Sequence, residues 1–213
     1  MSATASAEHH DEMQEWPPDE HMGKASLGKI GMWIFLLSDA FSFGGLLIAY
    51  GILRAGSAVW RDPALNEPIL GINFTAALTF LLICSSVTMV LAHAACVEGD
   101  RKGTQKYLAL TILGGALFLA GQYDEYFGLL FSHGLTHEGL TFGNSAYAST
   151  FYLITSFHGL HVTTGVIYLT VMFIRVSMGK YDHGNANHIE ILGLFWHFVD
   201  LVWILVFTFI YLL

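Results

Sequence analysis

The 213-residue chain is short of charge: Asp, Glu, Lys and Arg make up only 12% of it, against roughly 25% in an ordinary soluble domain. Too few charges remain to clothe a water-facing surface of this size. Cations are the scarcer sign, nine Lys and Arg against 17 Asp and Glu, for a formal net charge of −8. That deficit excludes a nucleic-acid partner, since neutralising phosphates takes clustered Lys and Arg. There are two cysteines, Cys84 and Cys96, in one apolar run. On a helix they stand about 18 Å apart, beyond disulfide reach, and they form no metal-binding spacing. Motifs for chemistry are missing as well. The chain contains no GxxxxGK[ST], no GxGxxG opening a helix and no HExxH, and no Ser-His-Asp order is legible. Nothing in it points to catalysis by the chain alone.

What the chain has instead is apolar length. Hydrophobic residues make up 54% of it and the mean hydropathy is +0.54. Five runs stand out: Ile30–Leu53, Ile69–Val97, Tyr107–Phe131, Tyr147–Ile174 and Ile189–Leu213. Each exceeds the roughly 20 residues that cross a ~30 Å hydrocarbon core, and none shows the polar face a soluble bundle would need. The predicted fold is therefore an all-α integral membrane protein, a bundle of five transmembrane helices over about 28–54, 69–98, 105–132, 146–177 and 187–213. Together they make a membrane domain over 26–213. Residues 1–25 read as an irregular acidic tail, with six acids, three His and Pro17-Pro18 before Lys24. This polar start is no cleavable signal peptide.

The cations set the expected orientation. Lys24, Lys29, Arg101, Lys102, Lys106, Arg175 and Lys180 fall on one side, and only Arg54 and Arg61 on the other. The positive-inside rule then puts the N-terminus in the cytoplasm and the C-terminus in the periplasm. Trp60, Tyr126 and Tyr211 fall near the expected interfaces, as aromatic belts do. Small residues in the first run (Ser42, Gly45, Ala49) and the third (Gly114, Gly115, Gly121) suit close helix packing. No internal repeat is evident.

Ionisable groups at membrane depth are functional candidates by default. Asp39 lies about 15 Å in from Lys29, near mid-bilayer, where a carboxyl is either neutral or paired. It serves as an inter-helix hydrogen-bonding group, a proton-handling acid or a link to a partner subunit. His158 and His161, at i and i+3, share a helix face. With His197 they could hold a haem iron in principle; inter-helix bonding is the plainer use. Glu190, His197 and Asp200 fall on one broad face, which should turn to the bundle interior or to a partner chain. Asp124 and Glu125, near the outer end of the third run, could reach water. His93 sits near the cytoplasmic interface.

Two strings are more specific. Phe151–Val162, FYLITSFHGLHV, and Glu190–Trp203, EILGLFWHFVDLVW, closely resemble signatures of subunit III of the haem-copper oxidases. Leu91–Lys102 (LAHAACVEGDRK) is similar to the family's helix end and cytoplasmic turn. Gly121–Tyr126 (GQYDEY) resembles its acidic pair, with Glu125 as the matching carboxylate. Phe35–Gly45 (FLLSDAFSFGG) resembles the first shared helix, where most members carry Glu and this chain has Asp39, one methylene shorter. The resemblance runs from about Lys29 to the C-terminus and is to the five-helix bacterial form. It implies a non-catalytic subunit of a terminal oxidase that reduces oxygen with proton pumping. In the family, haem and copper reside in subunits I and II, and subunit III packs against subunit I, stabilises it and supports proton uptake. The implied functional acid is Asp39. The implied inter-helix or subunit contacts are Glu125, His158, His161, Glu190, His197 and Asp200. Bound phospholipid is a feature of the longer members, in a cleft formed partly by helices this chain lacks. A quinol oxidase subunit III and a nitric oxide reductase accessory are alternatives within reach of the resemblance. Outside it stand a b-type cytochrome and a proton-coupled carrier centred on Asp39.

Overall fold

The structure is a computed structural model that describes residues 26–58, 60, 71–128, 134–136, 139–179 and 186–213. The acidic tail, Arg61, Lys180 and parts of the connections lie outside the described residues. Among those described, five long α-helices and no strand occur. They are α1 Leu27–Gly56, α2 Ile72–Val97, α3 Arg101–Phe127, α4 Ala146–Ser177 and α5 Asn187–Val206; the last continues as a π-helical stretch, Phe207–Leu212. Four of them (α5 taken through Leu212) are long and apolar enough to cross a membrane. The third is the departure from expectation. Arg101, Lys102 and Lys106 crowd its start, and Gln122, Asp124 and Glu125 its end, so its apolar length is diluted at both ends.

Local chemistry sets the helix ends. Ser26 and Ser145 cap α1 and α4, each side-chain oxygen accepting from the backbone N–H three residues on. Between α2 and α3 only Glu98, Gly99 and Asp100 intervene, with Gly99 at φ 76°. Helix α3 ends at Phe127, short of the expected 132, because Gly128 takes a left-handed φ of 65° and its N–H bonds the Asp124 carbonyl at 2.7 Å. Gly134 lies against that cap. A Cβ there would come within 2.7 Å of the Gly128 nitrogen.

The helices alternate in direction. Ser26 and Lys29 of α1 meet Asn187 and Glu190 of α5 at one end, and the Arg54 guanidinium donates to the Leu213 carbonyl at the other. Helices α1 and α5 are therefore parallel. Helix α2 runs against them, with His93 near Glu190 and Thr75 at the opposite end. Helix α3 runs with α5, since Gly115 faces Trp196 and Glu125 faces Tyr211.

Glycines bring α3 close to its neighbours. A Cβ on Gly115 would stand 2.6 Å from Trp196 and 2.7 Å from Val166; on Gly114, 2.7 Å from Ser85; on Gly121, 2.6 Å from Leu78. The small residues of α1 behave otherwise, against expectation. Ser42, Gly45 and Ala49 are exposed, with nothing within 4 Å of a Cβ built on Gly45. Helix α1 packs instead through Leu36, Phe43 and Tyr50, seven residues apart, whose bulk fills the crevice toward α4 and α5. Its outer face carries Ile34, Phe41, Ile48 and Ile52, all exposed.

Candidate functional site

Polar side chains inside the bundle gather in three layers. The first lies where α1 and α5 begin and α2 ends. Lys29 Nζ stands 2.7 Å from Glu190 Oε2, and His93 Nε2 is 3.9 Å from the same oxygen. Ser26 Oγ donates to Asn187 Oδ1 at 2.9 Å. Glu190 is thus a half-exposed ion-pair partner at the rim rather than an interior group.

The middle layer holds the acid and imidazoles that the sequence singles out. Asp39 Oδ2 lies 2.9 Å from His161 Nε2, both largely buried, joining α1 to α4. The approach is oblique, and Oδ2 meets no aligned hydrogen-bond donor among the described residues. At the other side of the ring, His161 Nδ1 is 2.8 Å from the Phe157 carbonyl. A carbonyl only accepts, so Nδ1 carries a proton and Nε2 is the nitrogen that faces Asp39.

His158, one turn away, is wholly buried and differs from expectation. Neither ring nitrogen has a hydrogen-bond partner among the described residues. It packs on Trp203, its ring centroid 4.8 Å away, and within 5.8 Å of Phe118. Aromatic contact with α3 and α5 takes the place of the inter-helix hydrogen bond. His197 turns to α2, with Nδ1 2.6 Å from Ser86 Oγ. Asp200, three residues on, is buried, and its Oδ1 has no hydrogen-bond partner among the described residues. The three imidazoles are engaged separately, and among the described residues no three His, Cys, Asp or Glu converge as a metal site would require.

The third layer corrects the expectation of a water-reaching acidic pair. Asp124 and Glu125 are 4% and 2% exposed. Glu125 Oε1 accepts from Thr75 at 2.9 Å, and Oε2 from Tyr211 at 2.9 Å and Gln122 at 3.1 Å. Tyr126 pairs with Thr155 of α4 at 2.5 Å. Tyr126 and Tyr211, expected at an interface, face inward; Tyr211 is 1% exposed. The partners that close these layers are Thr75, Thr79, Ser86, Gln122 and Tyr211. Sequence reasoning passed over the first four and read Tyr211 as an interface aromatic. The available signal was the spacing of hydroxyls along α2, where Thr75, Thr79 and Ser86 are four and seven residues apart and so share one helix face.

A sequence model of the family described as cytochrome c oxidase subunit III matches residues 19–213. That span contains all three layers. The chain belongs to the cytochrome c oxidase subunit III family. Among curated subunit 3 proteins, it is 38% identical over 194 residues to the cytochrome c oxidase subunit 3 of Synechocystis sp., covering 91% of this chain and 78% of that one. It is 34% identical over 193 residues to the one from Corynebacterium diphtheriae, covering 89% and 90%. It is 35% identical over 190 residues to a probable cytochrome c oxidase subunit 3 of Nocardia farcinica, with the same coverage. With its long apolar helices, this subunit III family member is a multi-pass membrane protein.

Proposed function

We propose that this chain is the accessory subunit III of a bacterial cytochrome c oxidase. It crosses the cytoplasmic membrane five times, with its N-terminus in the cytoplasm. It holds no redox centre of its own, packs against subunit I, and supports proton uptake while haem and copper in the partner subunits reduce oxygen. The observation that carries the functional part is the Asp39–His161 pair: a carboxylate and an imidazole within proton-sharing distance at mid-bundle, with the ring held by the Phe157 carbonyl. Such a pair can gain or release a proton without either helix moving.

Three further features support the reading. Helix α3 is 27 residues long, about 40 Å at 1.5 Å per residue, enough for a fifth crossing. Its cations stand in the first two turns, and Glu125 at the far end is tied to Thr75 and Tyr211. Helix α1 is enclosed on one side only, which leaves its apolar outer face for subunit I or lipid. The cation asymmetry supports a cytoplasmic side for the Lys29–Glu190 rim, the side of proton uptake.

The test uses the tagged full chain, expressed in its host and purified in mild detergent. The expected result is co-purification of a haem- and copper-bearing partner. A chain that purifies alone with its own Soret band would overturn the accessory role. In the intact complex, Asp39→Asn should slow proton uptake and shorten the enzyme's active life during turnover. Wild-type uptake and lifetime in that variant would remove the proton-handling part.

A further inference from the structure

Buried hydroxyls in this bundle share a habit: they donate back to their own helix. Thr79 donates to the Thr75 carbonyl, Ser85 to Leu82 and Thr111 to Tyr107. Donors from other helices then meet only their lone pairs. Trp196 and Trp203 of α5 donate to Ser85 and Thr79 in this way, at 3.1 and 2.9 Å. Ser86 departs from the habit. Among the described residues it makes no hydrogen bond to a carbonyl of α2, and its Oγ lies 2.6 Å from His197 Nδ1. Its proton is therefore committed across the α2–α5 seam.

Two polar groups, at i and i+3, share the face of α5 that turns to that hydroxyl. One is His197. The other polar group on that face is Asp200, 7% exposed, whose Oδ1 is buried and has no hydrogen-bond partner among the described residues. A carboxyl in that position needs a proton of its own or the proton of Ser86. We propose that Ser86 bridges His197 and Asp200 into a proton-sharing pair, a half-buried proton store on the α2–α5 seam.

The exchange balances. In one state His197 carries protons on both nitrogens, Nδ1–H donates to Ser86 Oγ, and the Ser86 O–H donates to the Asp200 carboxylate. The N–H proton passes to Oγ as the O–H proton passes to the carboxylate oxygen. The result is a neutral imidazole accepting from Ser86 and a protonated Asp200 donating to it. Net charge is zero before and after, so no charge is created inside the membrane during the step.

The entry side is also legible. A Cβ on Gly193 would lie 3.9 Å from His197 Nε2, so this nitrogen points along α5 toward Glu190, about 10 Å of helix away. The neighbouring titratable groups have other partners: Lys29 of α1 and His93 of α2 meet Glu190, and Asp39 of α1 meets His161 of α4. His158 of α4 packs on Trp203.

This deepens the proton-uptake reading proposed above, but its test needs no turnover. Infrared difference spectra of the full chain in its native complex are recorded across a pH titration. Asp200→Asn identifies the Asp200 carboxyl band, and His197→Gln the ring band. In the wild type the two bands should titrate at one shared midpoint, where the pair loses its common proton. Ser86→Ala should abolish that co-titration, and Ser86→Thr should restore it. Persistence of co-titration in Ser86→Ala, or a wild-type carboxyl band that ignores the His197 band, would overturn the store. Should Ser86→Ala fail to assemble, His197→Gln decides alone: the Asp200 band must move to a different midpoint, and an unmoved midpoint overturns the store. If instead the bands co-titrate while Asp39→Asn leaves uptake untouched, the proton-uptake reading fails and the store stands.

Discussion

At Glu125, three donors from three parts of the chain converge on one carboxyl: Thr75 from α2, Gln122 from α3 and Tyr211 from the C-terminal π stretch. Almost no water reaches them, since Glu125 is 2% exposed. Removing the acceptor strands Gln122 and Tyr211 in an apolar interior, while Thr75 keeps the Gly71 carbonyl. A buried donor left without a partner costs about 1–3 kcal/mol, so Glu125→Ala should lower stability by at least that much. Glu125→Gln keeps one carbonyl oxygen but turns an amide donor toward groups that also donate, and its loss should be smaller. Thermal unfolding of the purified chain in detergent, followed by circular dichroism, measures both. Equal midpoints for Glu125→Ala and wild type would show that the knot does not hold the C-terminal segment.

Among the elements, α3 depends most on what its residues lack. Gly115 sits where an added methyl would meet the Trp196 ring and Val166 at 2.6 and 2.7 Å, and Trp196 is itself fully buried. Overpacking of this kind costs about 1–3 kcal/mol. Gly115→Ala should therefore shift the denaturant midpoint of the chain clearly downward. Gly45→Ala, with open space around it, should stay within about 0.5 kcal/mol of wild type. Both substitutions add the same methyl, so the contrast isolates packing from helix propensity. The same contrast marks what the sequence could reveal. Both glycine groups look alike as strings, Gly114-Gly115 against Gly44-Gly45, and only tertiary neighbours tell them apart. Run length and cation placement made the α-helices legible, and depth along a run picked out Asp39, His161 and His197. Pairing was not legible, because it depends on which helix lies alongside. Nothing in the order of residues says that Ser86 faces His197, or that a π stretch carries Tyr211 to Glu125.

For the molecule as a whole, the layers have meaning only once each is assigned a side of the membrane. The Lys29–Glu190–His93 rim lies at the end where Arg101 donates to the Ser177 carbonyl, so the α2–α3 turn and the end of α4 share that side. The cations gather there, with Lys29, Arg101, Lys102, Lys106 and Arg175 against Arg54 at the other end among the described residues. In the orientation proposed above, from the positive-inside rule, this is the cytoplasmic side and the Glu125 layer lies toward the periplasm. Lys102 and Asn144 are exposed on opposite ends, which permits a direct check. In a Cys84→Ser, Cys96→Ser background, Lys102→Cys should resist a membrane-impermeant thiol reagent in intact cells and react in inverted vesicles, and Asn144→Cys should do the reverse. The opposite pattern would place the Glu190 rim in the periplasm. It would then be unable to draw protons from the cytoplasm, whatever His197 and Asp200 exchange between themselves.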